Sequence, residues 1–160
     1  MVLGRLPSAL AATALVALAG CAVQTEGPAG PGGPAVAPMS LSDTTWQLVE
    51  FESMDDAEGT RRPAPDRTVT ATFEADGSLA LKLDCNRGTS TWEQGAHHAT
   101  GSGLTIGPVA STRALCPEPT IGAFVARSLP DVASYMLRDG KLFLALKMDG
   151  GIFEFAPVEP

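Results

Sequence analysis

Residues 84–92 read DCNRGTSTW and residues 112–117 read TRALCP. A cysteine beside an asparagine and an arginine has three chemical uses: thiolate nucleophile, metal ligand, or half of a disulfide. A reactive thiolate needs a positive and partly exposed setting. Cys85 has Arg87 nearby, yet it continues the period-two series Leu79, Leu81, Leu83, which assigns it to an apolar face. Metal binding has less support still. The chain has no C-x-x-C or H-E-x-x-H spacing, and His97 and His98 sit together in an exposed polar loop between strands. Were they on a strand, neighbouring side chains would point to opposite faces. Ser90 and Ser111 lack the G-x-S-x-G elbow that activates a serine. Asp84 and Glu93 flank the cysteine segment without any spacing specific to an acid–base pair, and they read as solvated strand residues. A pairing of Cys85 with Cys116 is left as the favoured reading, because two cysteines in one exported domain normally join. A bridge across about thirty residues stabilises by roughly 3–4 kcal/mol on the loop-entropy argument. Two neighbouring buried thiols are the alternative.

The start of the chain says whether it is exported. Residues 1–21, MVLGRLPSALAATALVALAGC, carry one charge, Arg5, and then an alanine-rich apolar run too short to span a bilayer. Leu18-Ala19-Gly20-Cys21 resembles the bacterial lipobox, in which the cysteine is acylated and becomes the new N-terminus. An ordinary signal peptide with an incidental cysteine is the alternative. Acyl chains on Cys21 would form a membrane anchor, each buried methylene contributing about 0.8 kcal/mol. Ala22 follows in place of the aspartate associated with inner-membrane retention, which in a Gram-negative cell favours the outer membrane, facing the periplasm. The next stretch is Gly, Pro and Ala with one charge and no aromatic residue, a tether that has too little apolar surface to fold. The expected division is a signal over 1–20, the lipidated cysteine and tether over 21–40, and one domain over 41–158. A domain of that length buries a core of its own.

Charge narrows the partners. The chain holds 11 basic and 18 acidic residues, so loss of Arg5 with the signal moves the balance from −7 to −8. Nucleic-acid recognition needs basic patches, and the only basic cluster along the sequence is Arg61, Arg62 and Arg67. Asp55, Asp56, Glu58 and Asp66 surround it, as in a solvated loop.

The elements that position these residues are mostly strands. Val69, Ala71 and Phe73 alternate with threonines, as do Leu79, Leu81 and Leu83 with polar neighbours, and the Asp76-Gly77 turn joins the two runs. Residues 45–51 and 103–109 form further strands. Near the end, Asp139-Gly140 and Asp149-Gly150-Gly151 connect three more, with Leu142, Leu144 and Leu146 on one face and Phe153 with Phe155 on another. Between them, Ile121, Phe124, Val125 and Leu129 share a helical face within 117–130. Pro117 and Pro119 suit its start, and Pro130 displaces Leu129 from helical geometry. Strands, one helix, then strands imply an α+β domain. Its antiparallel sheet curves into a partial barrel to cover its edges.

TTWQLVEF, then LDCNRGTSTW, then LTIGPVASTRALCPEP before the helix, then LFLALKMDGGIFEFAP, together resemble the META (HslJ-like) domain over nearly all of 41–157. Cys85-Asn86-Arg87-Gly88 and Thr112 through Pro117 are the most specific parts. The chain departs at GTSTW, where Trp92 stands in place of a tyrosine, and in a longer loop over 55–65. The resemblance implies an α+β fold with an antiparallel, partly open barrel-like sheet and one main helix packed against it. It also implies a bacterial envelope lipoprotein, some members being associated with heat shock or drug tolerance and related domains with motility or virulence. It implies no catalytic residue, metal or cofactor. Cys85 and Cys116 are then bridged or at least packed together, Asn86 holds the turn backbone, and Arg87 and Arg113 pair with a carboxylate such as Asp84.

The favoured function is a non-enzymatic envelope lipoprotein, monomeric in its domain, that binds an envelope protein partner or stabilises the envelope under stress. Inhibition of a secreted or periplasmic hydrolase is the alternative. The missing motifs and the inward face of Cys85 argue against a thiol- or metal-dependent enzyme. The expected partner surface gathers Asn86, Arg87, Trp92 and Arg113 in the loops at one end of the sheet. The competing view has Trp92 capping the core.

Overall fold

The structure, a computed structural model, describes residues 40–99 and 101–159. The expected signal, the lipidated Cys21 and the tether up to residue 39 lie outside the described residues. Ten strands and one helix follow in the order β1 (Thr44–Glu52), β2 (Thr60–Arg61), β3 (Val69–Phe73), β4 (Ser78–Leu83), β5 (Asn86–His98), β6 (Gly101–Ile106), β7 (Ala110–Ser111), α1 (Gly122–Ser128), β8 (Val132–Arg138), β9 (Lys141–Leu146) and β10 (Ile152–Pro157).

Antiparallel pairing runs β1–β3–β4–β5–β6–β8–β9–β10, and β10 pairs back onto β1. The sheet is therefore a closed barrel and not the partly open one expected. Closure works through β1, whose residues 44–47 pair with β3 while residues 46–52 pair with β10. A closed ring leaves little free edge for another chain to extend. Its narrowest seam lies between β6 and β8, where the pairing is Ser102 with Tyr135 and Gly103 with Ser134. The short strands β2 and β7 add to β1 and β5 outside the ring.

Period-two alternation fills the interior. Val69, Ala71, Phe73, Leu79, Leu81, Leu83, Leu142, Leu144, Phe153 and Phe155 are all buried, as the sequence pattern requires. The register fixes which end of the barrel each loop occupies. Loops 53–68, 84–85, 112–121 and 147–151 leave one end, and turns 74–77 and 139–140 leave the other.

The helix plugs the first end. Ile121, Val125 and Leu129 are buried, and Phe124 packs edge-on against Phe51 with centroids 4.8 Å apart. Gly122 permits the close approach, since a Cβ there would stand 2.7 Å from the Leu83 carbonyl carbon. Two expectations need correction. The helix starts at residue 122 and not near 117, because the carboxylate that caps its first N–H groups comes from elsewhere in the chain and reaches residues 121 and 122. Asp84 caps them from another strand turn: Ile121 N–H and Gly122 N–H donate to Asp84 Oδ2 at 2.9 and 2.7 Å. Leu129 also keeps helical angles (φ −56°, ψ −37°). Pro130 sits within the first turn of the 3₁₀ segment Leu129–Asp131, where a missing N–H is harmless.

Candidate functional site

The residues with chemical potential meet at the helix end, around a two-residue turn. Leu83 pairs with Asn86, leaving Asp84 and Cys85 to reverse the chain, and Asp84 takes a left-handed φ of 56°. That angle interrupts the strand alternation. Asp84 turns inward and is only 7% exposed, while Cys85 turns out into solvent. Both placements reverse the sequence reading, which extended the period of β4 two residues too far. Cys85 is nonetheless not a free thiol: it is bonded to Cys116, 31 residues on, with Cα atoms 5.7 Å apart.

A second brace lies beside the disulfide. The Asn86 amide nitrogen donates to the Ala114 carbonyl at 3.1 Å, and Asn86 Oδ1 accepts from Ala114 N–H at 2.7 Å and Thr112 Oγ1 at 2.8 Å. Thr112 N–H donates to the Arg87 carbonyl at 2.9 Å, and Arg87 N–H donates to Thr112 Oγ1 at 3.1 Å. Asn86 thus holds the 112–116 loop and not its own turn. The loop is rigidly tied, yet Leu115 at its tip is 100% exposed. Between this loop and α1 runs a groove of about 430 Å³. Leu83, Val109, Ala123 and Ala126 line it, with Arg113 and Arg127 also on its walls.

Of the expected cluster, Asn86 and Arg113 line this groove, Arg87 joins the loop only through its backbone bonds to Thr112, and Trp92 is elsewhere. Trp92 lies six residues along β5, roughly 20 Å away at strand rise. Its indole packs edge-on against Phe73, centroids 5.3 Å apart, and its Nε1 donates to the Glu74 carbonyl at 3.0 Å. Trp92 caps the core on the side of the 74–77 turn. The expected ion pairing of Arg87 and Arg113 with Asp84 is absent, because the inward-turned carboxylate is engaged by the helix start. His97 and His98 belong to β5 and not to a loop, opposite Ser102 and Gly101. Among the described residues, no three His, Cys, Asp or Glu side chains gather as a metal ion would require. Among the described residues, Asp76 and Lys141 are shifted, both at the opposite end. Ser78 holds the Asp76 carboxyl below its usual range through its hydroxyl and its N–H. Glu154 holds Lys141 above its usual range through a hydrogen bond and its charge.

Sequence reasoning missed the groove because its lining comes from β4, the 109–115 segment and α1. The spacing of Ala123, Ala126 and Arg127 on the polar side of the helix was the available signal.

A closed antiparallel barrel, plugged at one end by a helix and carrying its braced loops there, is a small domain that presents its side chains from loops. The META domain family profile matches residues 39–159, and the chain belongs to that family. A protein from Burkholderia xenovorans, solved by NMR, is similar in fold: it is 22% identical with a TM-score of 0.58, over 83% of this chain and 99% of that one. A DUF4847 family protein from Bacteroides vulgatus is 15% identical with a TM-score of 0.49, over 72% of this chain and 93% of that one. No curated protein matches the chain.

Proposed function

We propose that this META-domain protein is a non-enzymatic envelope lipoprotein that recognises a partner through the groove beside its disulfide and thereby supports tolerance of envelope stress. The observation that carries the reading is the braced loop. A disulfide and three side-chain hydrogen bonds of Asn86 immobilise residues 112–116, while the large apolar Leu115 stands fully in water. Holding an apolar side chain in place before binding reduces the entropy lost on association. The membrane anchor rests on the lipobox-like residues 18–21, and the outer-membrane position on Ala22.

The test is complementation of a deletion strain under envelope stress. Wild type is expected to restore growth, whereas Cys21→Ala and the pair Arg113→Ala, Leu115→Ser are expected to fail. The pair should keep the wild-type melting temperature, since both side chains are exposed. Full complementation by the pair would show that the groove is not the partner site, and full complementation by Cys21→Ala would show that the anchor is not needed.

A further inference from the structure

The outer face of the barrel carries a second feature, separate from the groove. Five cations of the domain have acidic partners: Arg61 with Glu58, Arg62 with Glu50, Arg67 with Asp66, Arg138 with Asp139 and Lys141 with Glu154. Lys82 and Arg87 have none among the described residues, although the chain is acidic with a net charge of −7. They are also directly opposite each other across the β4–β5 ladder. Their Cβ atoms therefore stand about 5 Å apart, and like charges so placed repel.

Thr70 of β3 is opposite Lys82 on its other side. Its hydroxyl has no hydrogen-bond partner among the described residues. Hydroxyl, ammonium and guanidinium thus form one row across three strands, along the wall of a depression of about 470 Å³. The acidic residue in that wall is Asp84, whose Oδ2 faces inward onto the helix N–H groups. A surface with two adjacent unneutralised cations and a spare donor is complementary to an anionic group with several acceptor oxygens. Phosphate has that form, and a guanidinium meets it with two parallel hydrogen bonds.

We infer that Thr70, Lys82 and Arg87 form a phosphate-binding site on the outer face of the barrel. A bound phosphate replaces the Lys82–Arg87 repulsion with two attractions, so stability and affinity respond to substitution in opposite directions. The site takes either a free phosphate group or one displayed on a lipid headgroup.

The experiment uses the purified full-length chain with two probes, inorganic pyrophosphate and vesicles of phosphatidylglycerol, with phosphatidylcholine vesicles as control. Pyrophosphate at millimolar concentration is expected to move the amide signals of Thr70, Lys82 and Arg87. Lys82→Ala and Arg87→Ala should each weaken binding roughly tenfold, the loss of one charge-assisted contact. In low salt without ligand, Lys82→Ala should raise the melting temperature by about 1–4 °C, because the repulsion is gone. The pair Arg113→Ala, Leu115→Ser should leave pyrophosphate binding intact, which separates this site from the groove. Binding to phosphatidylglycerol vesicles alone assigns a headgroup, and binding to pyrophosphate assigns a free phosphate group. No binding to either probe, or binding indifferent to both single substitutions, overturns the inference.

Discussion

Replacing Asp84 by alanine should be among the most damaging single changes in the barrel. Asp84 Oδ2 accepts two hydrogen bonds, from Ile121 N–H and Gly122 N–H, in a buried setting. Each bond to a charged acceptor is worth about 1.5–3 kcal/mol, so their loss removes about 3–6. Part of that returns, because Asp84 Oδ1 is buried with no partner among the described residues, and relieving it recovers about 1–3 kcal/mol. Alanine must also hold a left-handed φ of 56°, an added strain of about 1–2 kcal/mol that aspartate and asparagine tolerate better. The net expectation is about 4 kcal/mol for Asp84→Ala. Asparagine keeps one acceptor and the backbone angle but loses the charge, for a net of about 2 kcal/mol. Glycine removes the strain alone and should fall between them. Urea unfolding of the oxidised protein reads this directly: with a slope of about 1–3 kcal/mol per molar, the alanine midpoint should drop by roughly 2 M at unchanged slope. A midpoint within error of wild type would refute the cross-strand cap. Equal loss for asparagine and alanine would refute the assignment of the effect to the two N–H bonds.

Cys85→Ser with Cys116→Ser should lower stability by about 3–4 kcal/mol from the 31-residue separation, measured by urea unfolding. The protein should stay folded, since the barrel interior does not include the bridge. Trp92→Ala should destabilise by about 3 kcal/mol through the lost contact with Phe73, whereas Arg113→Ala should change stability by less than about 0.5 kcal/mol. In an NMR titration the Asp76 carboxyl should ionise below the usual aspartate range, and Ser78→Ala should move it back up. Its folded-state pKa is the depressed one. Its contribution to stability is therefore present at neutral pH and is lost as pH falls through that value.

Much of the barrel was legible because inward residues were apolar at every second position and turns were marked by Asp-Gly. Leu79, Leu81 and Leu83 located β4, and Phe153 with Phe155 located β10. The full length of β5 was not legible, since its inward positions near the start are Gly88 and Ser90, which carry no hydrophobic period. Cys85 was assigned the wrong face for a related reason. The left-handed turn at Asp84 is a tertiary choice, made because the carboxylate is drawn to the helix start 37 residues away. Barrel closure depended on β1 meeting β10 from opposite ends of the domain, a contact that no local pattern announces. The Lys82–Arg87 pair was hidden as well, because four residues separate charges that the turn then sets side by side. In the candidate site, the cysteines and Asn86 were readable as a motif. The separation of Trp92 from them was not, since it follows only from how far β5 runs before the core ends.

The most direct test of the central claim, that the braced loop end recognises a partner, is a photo-crosslinking residue introduced in living cells at two positions. One replaces Leu115 at the tip of the loop, and the other replaces Asp76 at the opposite end of the barrel. One discrete adduct is expected from position 115, disappearing with Arg113→Ala, and none from position 76. An adduct of the same size and yield from position 76, or none from position 115 in stressed cells that need the protein, would contradict it.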